Sequence, residues 1–154
     1  MAEDLTADDA LEPSPTWGLL LKRGLRKRCP RCGARGLYSG WFRMRERCPE
    51  CGFKFEREPG FFIGAYLINF AIVEGLLFVV VMAFVFVLAN DSRAGIVAPL
   101  AIGAVLAVAG PLAFYPYSRT IWSAIDLAMT PLELEEIVAA QEAVTGHVDP
   151  DERA

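Results

Sequence analysis

Between Phe61 and Tyr117 the chain contains only three charged residues, Glu74, Asp91 and Arg93. A run this long and this poor in charge cannot lie on a water-facing surface. It divides into two apolar segments, residues 61–89 and 94–118. At a rise of about 1.5 Å per residue, each exceeds the roughly 30 Å hydrocarbon core of a bilayer. Both are apolar on every side, unlike the one-sided helices of a soluble fold. With so few residues between them, the expectation is a tight antiparallel transmembrane hairpin: helix 1 over 59–90, an extracytoplasmic turn at 91–93 and helix 2 over 94–118.

The flanks set its orientation. Twelve Lys and Arg precede the first segment, whereas the turn carries only Arg93, so both termini are expected in the cytoplasm. Residues 1–16 hold five acids and no base, a composition that cannot bury enough apolar surface to order itself. They read as a disordered acidic tail. Residues 17–28, WGLLLKRGLRKR, place Trp17, Leu20, Leu21 and Leu25 at helical spacing with bases opposite. That suits a basic interfacial helix on anionic headgroups, or a basic linker, with Gly24 weakening the helix. Beyond the second span, Ile121, Trp122, Ile125 and Met129 share one helical face, and Trp122 suits an interface anchor. Thr130, Pro131 and Glu133 form a capping-box pattern that starts a further helix. Residues 119–145 are thus expected as amphipathic helices, with Gly146 ending the last one and 146–154 a flexible tail.

All four cysteines fall within residues 29–58, as Cys29-Pro-Arg-Cys32-Gly33 and Cys48-Pro-Glu-Cys51-Gly52 with 15 residues between the pairs. Two such knuckles can bring four thiolates into a tetrahedral site, the pattern of a zinc ribbon. Gly33 and Gly52 follow the second cysteine of each knuckle, where a tight turn calls for positive φ. The intervening Leu37, Tyr38, Trp41, Phe42 and Met44 suit a short β-hairpin over the metal. Zinc with four thiolates is formally −2, and Arg26, Lys27, Arg28, Arg31, Arg35 and Arg47 stand close in sequence to favour it. Disulfides would need the opposite side of the membrane, and a thioredoxin-like site needs a βαβ context too long for this chain. The expected cofactor is therefore structural Zn²⁺ on Cys29, Cys32, Cys48 and Cys51, with redox or metal-relay thiols as the competing chemistry.

Within the spans, Glu74 must enter the bilayer, because the uncharged run after it covers only about 22 Å. It is a candidate intramembrane polar site together with Asn69, although the five-residue spacing puts the two on different faces. The alternative is a carboxyl that reaches water or Arg119. Gly60 and Gly64, and Gly103 with Ala107, permit close helix approach within the hairpin or in a homodimer. Pro99, Pro111 and Pro116 each remove a backbone donor, which predicts a kink near Gly110-Pro111.

CPRCG, GLYSGWF, CPECGFKFEREPGFFIGAYLIN and GPLAFYPYSRTIWSAIDLAM together resemble a bacterial membrane family known as domain of unknown function family 983, over roughly residues 24–129. The matching positions are Cys29, Cys32, Cys48, Cys51, Glu58, Pro59, Gly60, Tyr115, Pro116, Ser118 and Arg119. The resemblance implies a bacterial plasma membrane and no assigned activity. It also implies, through gene neighbourhood in some members, an association with respiratory oxidase assembly.

The combined expectation is an all-α membrane protein with an N-terminal cytoplasmic zinc ribbon. No nucleophile–base pair, phosphate loop or dinucleotide fingerprint is present, so a non-enzymatic role is expected. The first reading is a ribbon that docks a protein partner in the membrane or supports assembly of a complex, through Trp41, Phe42, Arg43 and Arg45. The second is zinc or copper buffering or relay to a membrane metalloenzyme. Membrane-tethered nucleic-acid binding is disfavoured by a pI near 5.0 and because topology already accounts for the basic run. Transport would require an oligomer.

Overall fold

The computed structural model of the protein describes residues 15–90 and 95–146. Four helices carry the fold: α1 (Trp17–Leu25), α2 (Ile63–Asn90), α3 (Val97–Met129) and α4 (Leu134–Thr145). The turn expected at 91–93, and most of the tails expected at 1–16 and 146–154, lie outside the described residues.

At 28 and 33 residues, α2 and α3 are about 42 and 50 Å long and are apolar enough to cross a membrane. They pack antiparallel: Gly64 meets Trp122, Asn69 meets Pro111, Val73 meets Gly110 and Leu77 lies beside Gly103. Their outward faces are unclothed apolar side chains such as Phe70, Phe78 and Phe86. Pro99 falls in the first turn of α3, where an N–H has no helical partner in any case. Pro111 and Pro116 lie inside the helix, which continues through both.

Several elements depart from the sequence reading. The second span and the amphipathic helix after it are one helix: α3 runs on without a break to Met129, because Ser118, Thr120, Ile121, Ser123 and Ala124 are buried against the rest of the chain. Trp122 accordingly packs inward on Gly64, where a Cβ would run into its ring, and lies 6.2 Å from Phe61. The start of α4 is also displaced. Thr130 is extended and closes α3, donating its N–H to Asp126. Pro131 keeps the chain out of helix there, and Glu133 becomes the cap, its N–H bonded to Glu136 Oε2 at 3.0 Å. Gly146 ends α4 at φ 72, as expected.

Gly24, which on propensity weakens α1, is what lets α1 dock. A Cβ there would stand 3.0 Å from the Thr120 carbonyl and 3.2 Å from Ala124, and Thr120 Oγ1 donates to the Gly24 carbonyl at 2.8 Å. Between α1 and α2 the knuckle segment folds without strands among the described residues. The expected β-hairpin is reduced to two isolated antiparallel bridges, Tyr38 with Met44 and Arg47 with Lys54. Pairing stops there because the loop between Tyr38 and Met44 is drawn to α3 by side chains rather than extended against itself. Tyr38 donates its hydroxyl to the Pro116 carbonyl at 2.6 Å, Trp41 Nε1 donates to the Leu112 carbonyl at 2.8 Å, and the Phe42 ring lies 5.4 Å from Tyr115. The core is Leu37, Phe53, Phe55 and Phe62 with Cys29 and Cys48, at the base of the hairpin.

Candidate metal centre

The two knuckles are built alike. Cys29 and Cys48 accept from the N–H of Gly33 and Gly52 and donate their own to Ala34 and Phe53. The turns place Gly33 at φ 85 and Gly52 at φ 67, the left-handed region expected at those positions. Their symmetry brings all four sulfurs within 4.8 Å of one another. The short distances run between knuckles, 3.7 Å for Cys29–Cys51 and 3.7 Å for Cys32–Cys48. A tetrahedral site with metal–sulfur bonds of about 2.3 Å has sulfur–sulfur edges of about 3.8 Å. A disulfide needs about 2.05 Å, and all four cysteines are free. The donor set therefore fits a thiophilic ion such as zinc.

The protons are unevenly shared. The hydrogen bond to Cys51, reinforced by burial, pushes the Cys29 thiol far up, and the same bond brings Cys51 down to about 5. Burial pushes Cys32 up to about 11. Cys29 and Cys48 are buried while Cys32 is exposed, so the site has one open edge.

Of the bases expected near the sulfurs, Arg31 and Arg47 grip backbone, and Arg23 of α1 does the same. Arg23 donates to the carbonyls of Pro30 and Arg31, Arg31 to that of Cys51, and Arg47 to those of Gly52 and Ala139. Backbone packing completes the brace, because the Ala140 carbonyl of α4 occupies the place a Cβ would take at Gly52.

Arg57 was not singled out by the sequence and is the hub of the C-terminal side. It contacts Asp126 Oδ2 at 2.9 Å and both Glu136 oxygens at 2.7 Å, and it donates to the Thr130 carbonyl at 2.8 Å. Hydrogen bonding to Glu136 and Asp126 raises its pKa against the opposing effect of burial. Burial works against ionised Glu136, but the Arg57 hydrogen bond, the Glu133 N–H and the Arg57 charge outweigh it and hold the carboxyl below its usual range. The EREPG link offered a signal: one arginine between acids, just before an apolar span.

The other candidate residues are separated. Asn69 is buried against α3 and donates to the Pro111 carbonyl at 3.0 Å. Glu74 lies on the outward face of α2, exposed, with no hydrogen bond or ion pair among the described residues. Arg119 does not reach it, because its guanidinium stacks on Phe62 at 3.8 Å. The four residues read as a docking surface are all exposed, and Trp41 and Phe42 also contact α3.

Fold and site together define a two-helix hairpin of membrane-spanning length, braced at one end by a four-cysteine cluster of metal-site geometry. Residues 38–126 match the family described as Protein of unknown function (DUF983), and the chain belongs to that family. Neither the curated proteins nor the solved structures contain a match.

Proposed function

We propose that this is a non-enzymatic membrane protein whose four cysteines hold a structural Zn²⁺ on the cytoplasmic side, where the knuckles lock α1, α3 and α4 into a base for the hairpin. The observation that carries this reading is the pair of 3.7 Å sulfur–sulfur distances across the knuckles. A closed four-thiolate shell has no open position for substrate, and a segment this small draws folding free energy from the metal. Elemental analysis of the detergent-purified protein is expected to give one zinc per chain, lost in Cys29→Ser and Cys51→Ser. Absence of metal in the wild type, or a reversible disulfide, would overturn it.

The role of the braced hairpin is to dock a membrane partner. Supporting this is Glu74, which stands on the outward row of α2 between Phe70 and Phe78. A charged carboxyl inside the hydrocarbon costs up to about 2.5–3.5 kcal/mol on insertion scales. No cation of the described residues offsets it, so a partner helix carrying a basic side chain at that depth is its complement. Photocrosslinking from Phe70 or Phe78 that gives identical adducts in wild type and Glu74→Leu would remove Glu74 from docking.

The exposed edge at Cys32 favours a second reading, in which the thiolates pass zinc or Cu(I) to a membrane metalloenzyme. Exchange with a chelator within minutes would support relay; metal held for days would exclude it.

A further inference from the structure

An open cavity of about 500 Å³ lies between the end of α1, the first knuckle and α3, and its lining includes Arg26, Lys27, Arg28, Arg35, Tyr38 and Tyr117 but no acid. The arginines around the knuckles differ in what they hold. Arg23, Arg31, Arg47 and Arg57 are committed to carbonyls or carboxylates. The side chains of Arg26, Arg28 and Arg35 make no hydrogen bond or ion pair among the described residues, yet they converge on this one cavity.

Lys27 adds an independent observation. Its N–H bonds to Gly24 and that of Arg28 to Arg23, the paired pattern that ends a helix with a left-handed residue, at φ 53 in Lys27. Glycine is the usual occupant of that place because a side chain there is strained. The strain holds the ammonium 4.8 Å from the Trp41 ring centroid and 5.0 Å from that of Tyr117. Strain retained at one position is a sign that its side chain is used.

Position supplies the ligand class. Tyr117 stands where the uncharged stretch of α3 ends, two residues before Arg119, and Leu25 is exposed at the cavity's edge. We propose that the cavity binds the phosphate group of an anionic phospholipid headgroup, with Arg26, Lys27, Arg28 and Arg35 around the phosphate and Tyr117 beneath it. This rests on the membrane reading above.

The test uses the full chain reconstituted in bilayers of phosphatidylcholine with or without phosphatidylglycerol, with bound lipid counted by native mass spectrometry. Wild type is expected to retain phosphatidylglycerol over phosphatidylcholine, and Arg28→Gln and Arg35→Gln to lose about fivefold of that preference each. Lys27→Gly discriminates a binding role from a structural one. It relieves the backbone, so the thermal midpoint holds or rises, while the lipid preference falls. Equal retention of both lipids by wild type, or an unchanged preference in Lys27→Gly, would overturn the headgroup site alone. Inorganic phosphate displacing the lipid at equal concentration would replace it with a free-phosphate site. Failure to enter bilayers of either composition would overturn the membrane reading itself.

Discussion

Pro116 has no N–H, so the carbonyl four residues back, Leu112, lacks its helical partner. Trp41 Nε1 supplies one at 2.8 Å, which makes the knuckle loop a repair for a defect in α3. Trp41→Phe keeps an aromatic ring at that position but removes the donor together with part of the ring, a packing loss common to both backgrounds. An unpaired carbonyl away from water costs about 1–3 kcal/mol, and Leu112 lies in the apolar half of α3. In a Pro116→Ala background, position 116 gains an N–H that closes the helical bond to Leu112. Losing the Trp41 donor there is expected to cost under about 0.5 kcal/mol, and the two changes to couple by about 1–2 kcal/mol. The cycle cancels the packing lost with the Pro116 ring. The assay is reversible unfolding in mixed detergent and SDS, followed by far-ultraviolet circular dichroism so that the missing indole does not distort the signal. Equal losses from Trp41→Phe in both backgrounds would refute the repair. A loss near zero in the wild type would mean that water already satisfies the carbonyl, and this part of α3 would not lie in hydrocarbon.

Gly52→Ala places a Cβ on the Ala140 carbonyl in a left-handed backbone, so α4 is expected to undock at a cost of about 2–4 kcal/mol. Rapid proteolysis after α3 would report it, and wild-type protection would exclude it. The Arg57 clamp carries a pH dependence. Because the Glu136 carboxyl is held below the usual carboxylate range, its contribution is complete above that range and is lost as pH falls through the lower folded value. Hydrogen exchange in α4 is expected to rise in that acid window and to be flatter in Glu136→Gln; identical profiles would discard the clamp. Tyr38→Phe removes the donor to Pro116, whose carbonyl also accepts from Thr120 at 3.2 Å, so the loss is expected to be about 1 kcal/mol or less in the same unfolding assay.

Much of the architecture was legible from residue types alone. Hydropathy located both long helices, because a segment so poor in charge for that length has few other environments. The C-x-x-C-G repeat located the four ligands, because two identical local turns make converging sulfurs with no help from the rest of the chain. Local signals misled where a neighbour changed their meaning. Thr130-Pro131 has the form of a cap, but Pro131 keeps the chain out of helix and Glu136 reaches back to Glu133, which becomes the cap of α4. Trp122 has the pattern of an interface anchor, yet the glycine that receives it lies 58 positions earlier, at Gly64.

By itself, then, the sequence determined the properties that depend on composition and short spacing: two helices of spanning length, the thiolate quartet, the left-handed glycines of the knuckles and the basic stretch before the first span. Only the tertiary structure decided how those parts are held. It merged the second span with the helix that follows it, gave Trp41 and Tyr38 to carbonyls of α3, made Arg57 the tie between α3 and α4, and left Glu74, Arg26, Arg28 and Arg35 without side-chain hydrogen bonds or ion pairs among the described residues. The physical reason is range. Hydropathy and turn geometry are set within a few residues, whereas a hydrogen bond from Trp41 to Leu112 or from Tyr38 to Pro116 spans 71 or 78 positions and exists only once the helices have packed.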